Sequence, residues 1–333
     1  MENNNLYKFY KGKKVLITGG LGFLGSSLAI ELVKLGAKVT IIDSLIDGYG
    51  GNLFNIEPIK NKIELNISDV RDRYSMNYLV REKDIMFNLA GTLSHIDSMK
   101  DPFTDLEINC VGQLSILEAC KNNNSNIKII WSGTRNQYGK AQYLPVDEKH
   151  PQMPSDVNGI NEIAGEQYHL LYYKIYGIKS CSLRLTNCYG PRHQMKHSRQ
   201  GVLNWFIREI IDNKRIQLFG NGEQIRDINY VDDVTRAFLL IGASKNVWGE
   251  AFNLGGQPLS LKSFVETAIK INGKGGYIFK DFTEDRKVIE IGDYIADINK
   301  IKQYVGWEPK TSIEEGLKKT ISFYEKHKKY YWG

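Results

Sequence analysis

The first half of the chain alternates short apolar runs with segments whose apolar residues recur at helical spacing. The runs at 14–18, 38–43, 63–67, 85–89, 127–131 and 180–185 are rich in β-branched residues and bounded by polar residues or glycine, the signature of buried strands. Between them, residues 23–35, 103–120 and 158–176 carry a helical period, as in Leu106, Cys110, Leu114 and Leu117. Strand and helix alternating over this length predict an α/β fold with a doubly wound parallel sheet. After residue 186 the rhythm breaks. Turn signals cluster at Tyr189-Gly190-Pro191, Phe219-Gly220-Asn221-Gly222 and Leu254-Gly255-Gly256, and the elements between them shorten. The expected division is a first domain over 1–185, joined by a returning segment near 226–254, and a smaller second lobe made mainly of 186–333.

Composition narrows the classes of function. Of 333 residues, 42% are apolar and 25% charged, which supports a packed core and excludes wholesale disorder. Lys plus Arg number 44 against 38 Asp plus Glu, a net +6, but the densest basic runs are only Lys11-Gly12-Lys13-Lys14 and Lys326-His327-Lys328-Lys329. These read as solvated faces rather than a nucleic-acid surface. The four cysteines, Cys110, Cys120, Cys181 and Cys188, form no CxxC pair and have no histidine at metal-ligand spacing, so neither zinc nor a disulfide framework is expected. The N-terminus lacks the apolar core of a signal peptide, and no apolar run reaches the ~18 residues of a membrane span. A reduced, soluble, cytoplasmic protein is the expectation.

The chemistry begins at the first strand, which runs from Val15 to Thr18 straight into Gly19-Gly20-Leu21-Gly22-Phe23-Leu24-Gly25 and then a helix. Glycines at 19, 22 and 25 permit a tight turn, close approach of backbone N–H groups to a pyrophosphate, and contact between helix and strand. The second strand ends at Asp43, where a carboxylate can accept hydrogen bonds from adenosine ribose hydroxyls and would repel a 2′-phosphate. This combination predicts a Rossmann-type domain binding NAD rather than NADP.

At these residues the sequence resembles the extended short-chain dehydrogenase/reductase family of nucleotide-sugar epimerases and dehydratases, over nearly the whole chain. Thr18-Gly19-Gly20-Leu21-Gly22-Phe23-Leu24-Gly25 matches the family's TGGxGFxG motif. Asp69-Val70 matches its adenine-contacting pair, and Asn88-Leu89-Ala90-Gly91 the segment beside the cofactor after the fourth strand. The stretches 183–192 and 220–227 look like its substrate-side signatures. The resemblance implies that Asn187, Arg226 and Arg286 contact a nucleotide diphosphate, with Arg192 and Lys196 as further candidates. His95, in Leu93-Ser94-His95-Ile96-Asp97, is a candidate either for proton transfer or as a loop residue that only positions sugar hydroxyls.

Family members oxidise a sugar hydroxyl with a tyrosine, usually in YxxxK, assisted by a Ser or Thr after the fifth strand. A phenol titrates near ~10 and becomes a usable base only where a cation stabilises its phenolate. Thr134 falls on the Ser/Thr position, but Asn158 stands where the tyrosine belongs and Glu162 where the lysine belongs. An amide is no base, and Lys to Glu changes the local charge by two. Three explanations stay open: a buried Glu162 acting as base one helical turn from Asn158, a proton acceptor supplied by Tyr138 or His95, or loss of the redox step with binding retained.

Dehydratases of the family usually carry Thr-Asp-Glu after the fifth strand, and Thr134-Arg135-Asn136 stands there instead. The expected activity is therefore that of a nucleotide-sugar epimerase, similar to UDP-glucose 4-epimerase, with tightly held NAD. A dehydrogenase or ketoreductase, a 4,6-dehydratase and a catalytically silent homologue are the alternatives. The resemblance further implies a homodimer through a four-helix interface made by 103–120 and 158–176.

Overall fold

The computed structural model describes residues 2–282 and 291–332. Helix α1 (Glu2–Tyr10) leads into β1 (Lys14–Thr18), α2 (Phe23–Lys34), β2 (Lys38–Asp43), β3 (Ile63–Ile67), α3 (Arg73–Leu79) and β4 (Ile85–Asn88). Then come α4 (His95–Lys100), α5 (Pro102–Leu106), α6 (Gly112–Asn123), β5 (Lys128–Thr134), α7 (Val157–Tyr176) and β6 (Lys179–Leu185). These strands, with β10 (Ala251–Leu254), build one seven-stranded sheet in the order β10-β6-β5-β4-β1-β2-β3. Every pairing in it is parallel, so the order reverses beside β1 and leaves a crevice at the carboxyl ends of β1 and β4.

Both faces of the sheet are covered, which explains the continuous apolar runs of its strands. One face packs Val15, Ile17, Ile41 and Phe87 against Leu28 and Leu32 of α2 and Phe238 of α9 (Val231–Ala243). The other packs Leu16, Met86 and Ile129 against Ile116, Leu117 and Cys120 of α6. The smaller lobe has its own core, in which Leu203, Ile207 and Ile210 of α8 (Val202–Ile211) meet Phe264 of α10 (Leu261–Asn272) and Leu317 of the helix Ile313–His327. Its strands are β7 (Asn187–Tyr189), β8 (Arg215–Phe219), β9 (Ile225–Tyr230), β11 (Gln257–Ser260) and β12 (Gly276–Lys280). Within the segment 226–254, α9 and β10 return to the large sheet, whereas β9 pairs with β7 and β11 in the lobe.

The single helix expected over 103–120 is broken. Between α5 and α6 lies one π turn, Glu107–Val111. The turn's Asn109 is drawn to Thr92, with Nδ2 2.7 Å from Thr92 Oγ1 and Oδ1 accepting from Thr92 N at 3.0 Å. A helical period cannot reveal such a break, because the side-chain bonds that favour it come from a loop seventeen residues away.

Candidate active site

A cavity of about 790 Å³ runs from the crevice into the lobe, within the range of small-molecule sites. At its floor the β1–α2 crossover is held closed by glycines. A Cβ on Gly25 would lie 2.3 Å from the Gly19 carbonyl oxygen, and one on Gly19, whose φ is +65°, would lie 2.7 Å from the Leu89 carbonyl oxygen. Helix α2 has Gly22 as its N-cap with no side-chain cap, so its first-turn N–H groups are left to an anion in the cavity. Gly19, Gly22, Phe23, Leu24 and Gly25 all line this wall.

Asp43 closes the same end. Its carboxylate accepts from the backbone N–H groups of Leu21 and Leu45, each at 3.0 Å. Burial raises its pKa, and those two bonds partly offset the rise. Asp69 and Val70 stand on the opposite wall. Asp69 is gripped by Arg71 through Nε at 2.9 Å and Nη2 at 2.7 Å, bonds that hold its carboxyl below the usual range. Leu89, Ala90 and Gly91 carry the wall on from β4. A glycine cradle, an open helix terminus and a ribose-height carboxylate together fit an adenine dinucleotide.

The reacting end is built by β5, α4 and the start of α7. Thr134 ends β5, and its hydroxyl accepts from Asn136 N at 3.2 Å, so its own O–H remains a donor for a ligand. Asn158, 1% exposed, gives both amide hydrogens to the protein, to the Thr92 carbonyl at 2.7 Å and to Asp105 at 3.1 Å. Asp105 also accepts from Thr92, Asn109 and Asn161, so the amide that stands in the tyrosine position braces a buried polar knot. Glu162 lies one turn further along the same wall, 3% exposed. Among the described residues its Oε2 has no hydrogen-bond partner. Burial pushes its pKa well above the ordinary carboxyl value, and Asp105 and Glu166 push it further, which favours the protonated form.

Tyr138 is not on the cavity wall. Its hydroxyl donates to Asn253 Oδ1 at 2.7 Å and accepts from Arg184 at 2.5 Å, and burial raises its pKa to about 12. His95 does line the cavity, with Nδ1 bonded to Asp156 Oδ2 and 2.9 Å from Asn136 Nδ2. Burial pushes the Asp156 carboxyl up, but the His95 bond and charge, the Gly159 amide and Arg135 together bring it below its usual value.

On the lobe side, Asn187 lines the cavity with its Nδ2 buried and without a partner among the described residues. Arg226 is there too, anchored through Nη1 to the Gly292 carbonyl at 2.7 Å. Arg192, whose φ is +75°, is not among the residues on the cavity wall; its Nε lies 3.3 Å from Ser27 Oγ of α2 and its guanidinium sits over the Phe323 ring. Lys196 is likewise off the wall, and Arg286 lies outside the described residues. Sequence reading did not assign Thr92, Arg135, Asn136, Gln217 and Gln224 to the site, and all are on the wall. These polar residues carry no spacing signal because four separate segments bring them together.

The fold and this site define a dinucleotide-binding domain of Rossmann type joined to a smaller lobe, and comparisons with known proteins agree on the class. The family model described as GDP-mannose 4,6 dehydratase matches residues 16–320, and the chain belongs to this family of extended short-chain dehydrogenase/reductase epimerases and dehydratases. It is 31% identical to the CDP-paratose 2-epimerase of Salmonella typhi, over 92% of this chain and 97% of that protein. The structure of Thermotoga maritima UDP-glucose 4-epimerase with UDP-glucose matches with a TM-score of 0.85 and 30% identity, over 94% of this chain and 99% of that one. That of Thermus thermophilus UDP-glucose 4-epimerase in complex with NAD matches with a TM-score of 0.83 and 27% identity, again over 94% and 99%. Among the described residues, no helix is long and apolar enough to cross a membrane.

Proposed function

We propose that this protein is an NAD-dependent nucleotide-sugar epimerase. The observation that carries the reading is one continuous cavity whose wall runs from the Gly19–Gly25 cradle, past Thr134, to Asn187 and Arg226. The first-turn amides of α2 hold the dinucleotide diphosphate, Asp43 accepts from its adenosine ribose, and Asp69-Val70 frames the adenine. A bound nicotinamide dinucleotide supplies reversible two-electron oxidation at one sugar carbon. Thr134 donates its O–H to the reacting sugar oxygen, and Asn158 fixes the Thr92 loop beside it. Glu162, carrying its proton, offers a neutral donor where relatives place a cation. Asn187 Nδ2 and Arg226 face the nucleotide diphosphate of the substrate.

The segment Thr134-Arg135-Asn136 supports epimerisation over dehydration, because elimination of water needs an acid and a base where Arg and Asn stand. The same reading includes a homodimer. Phe103, Leu106, Val111, Ile160 and Leu171 form an exposed apolar set on α5, the π turn and α7 that a second copy would cover. The experiment is a panel of UDP-, GDP-, CDP- and TDP-sugars offered to purified protein with NAD. Interconversion of at least one pair of epimers supports the proposal, and inertness across the panel with NAD bound refutes it.

A further inference from the structure

The groups at the tyrosine and lysine positions are poorly suited to take the hydroxyl proton. Asn158 has no basic atom and gives both amide hydrogens to Thr92 and Asp105. At Glu162, burial and the neighbouring Asp105 and Glu166 all oppose the ionisation that a base needs. Tyr138 is sealed between Arg184 and Asn253, off the wall.

His95 differs from all three. It is the first residue of α4, its side chain is 41% exposed, and it shares the cavity wall with Thr134. Its partner Asp156 is the N-cap of α7, with a side chain only 3% exposed, and accepts from Gly159 N at 2.8 Å. An ionised carboxylate on Nδ1 fixes the ring proton there and leaves Nε2 as the basic nitrogen. Among the described residues, nothing hydrogen-bonds Nε2. A buried carboxylate on the ring and an Nε2 without a protein partner, in a residue that lines the ligand cavity, fit a general base better than a surface ion pair.

We propose that His95, oriented by Asp156, takes the proton of the substrate hydroxyl in place of the missing tyrosine and lysine. The inference rests on the epimerase reading above. A bound oxidised nicotinamide dinucleotide would take up the hydride of the sugar C–H bond, while the hydroxyl proton passes to His95 Nε2 and a carbonyl is left. Return of hydride to the opposite face of that carbonyl, with the proton returned from His95, would give the epimer and leave protein and dinucleotide unchanged. The exchange of base also accounts for the lost lysine. A phenol near ~10 needs a cation to act at neutral pH, whereas an imidazole, near ~6.5 in model peptides, needs none, and its charged form is stabilised by a carboxylate. Asp156 is therefore a positioning residue. The other charged groups on the elements around α4 are Asp97 and Lys100 on α4 itself, Asp101 and Asp105 of α5, Glu162 of α7, Arg135, and Arg199, whose Nη1 bonds Asp97.

The test compares the full chain, loaded with NAD, as wild type, His95→Asn and Asp156→Asn, with UDP-glucose as probe. Asn retains helix capping at 156. His95→Asn is expected to lower kcat about 100-fold or more with UDP-glucose affinity by calorimetry unchanged. Asp156→Asn is expected to lower kcat about tenfold with KM unchanged, a split that a merely structural loss would not give, and an unchanged kcat in that variant overturns the positioning role. Independently of turnover, UDP-glucose is expected to shift the 15N resonance of His95 Nε2 in the loaded wild type. A His95→Asn variant with near wild-type kcat overturns the inference while leaving the epimerase reading intact. Loss of UDP-glucose binding in that variant, or an Nε2 resonance unmoved by bound UDP-glucose, overturns it as well. Failure of the wild type to bind UDP-glucose overturns it together with any reading of the protein as a UDP-glucose epimerase.

Discussion

Glu162→Gln reads the protonation state of the one carboxyl that replaces a lysine on the cavity wall. Glu162 is buried, its Oε2 is without a partner among the described residues, and burial together with Asp105 and Glu166 raises its pKa well above the ordinary value. An unfolded-chain glutamate titrates near ~4.3, so above that pH the unfolded state releases a proton that the folded state keeps. Because the folded value is the higher one, this contribution to stability is complete below ~4.3 and is lost as pH rises toward the folded value. The limiting slope is about 1.4 kcal/mol per pH unit. An amide of the same shape does not titrate, and its N–H groups can donate to the neighbouring carboxylates. The stability of the variant relative to wild type must therefore increase with pH, by about 1 kcal/mol between pH ~5 and ~6. Urea unfolding at a series of pH values measures this, with unchanged m values as the check that both proteins expose the same surface. Parallel stability curves for the two proteins would refute the reasoning, since they would mean that Glu162 ionises in the folded protein as it does in the unfolded one.

Two further predictions concern the cradle and the buried framework. Gly25→Ala forces a Cβ to 2.3 Å from the Gly19 carbonyl oxygen and should lower NAD affinity at least about tenfold, a cost of about 1–3 kcal/mol, with the far-ultraviolet circular dichroism retained; undiminished affinity by calorimetry would contradict it. Arg184→Met breaks a buried pair in which Arg184 Nη2 lies 2.5 Å and Nε 2.9 Å from the Glu166 carboxylate. It should cost about 3–5 kcal/mol in chemical denaturation, with Glu166→Met on the same chain recovering part of the loss, and a cost below about 1 kcal/mol would show the pair to be dispensable.

Much of this molecule is legible from pattern alone, for identifiable reasons. The sheet strands are buried on both faces, so their apolar runs stand out, and five of the six expected spans differ from the observed ends by no more than one residue, as at 85–89 against Ile85–Asn88. β5 runs three residues further than its apolar stretch, because Ser132, Gly133 and Thr134 continue the ladder with β6 while facing the cavity. The glycine cradle was readable because glycine is the only residue that fits there. What the sequence concealed depends on contacts between distant loops. The π turn is braced by Asn109 and Thr92, and Arg192 meets Ser27 and Phe323, partners far from it in sequence. The pairing of His95 with Asp156 joins α4 to the cap of α7 across sixty-one residues, and neither residue signals the other. The departures at Asn158 and Glu162 were visible in sequence, but their meaning required the buried network that one joins and the unpaired oxygen of the other.

The central claim is that the crossover beneath Gly19–Gly25 and the carboxylate of Asp43 hold a dinucleotide lacking a 2′-phosphate. Equilibrium binding to cofactor-stripped protein tests it most directly, by titrating NAD and NADP separately in a calorimeter. The account predicts saturable binding of NAD, at least about tenfold tighter than that of NADP, because Asp43 would face the extra phosphate. No measurable binding of either dinucleotide, or a preference for NADP, would contradict it.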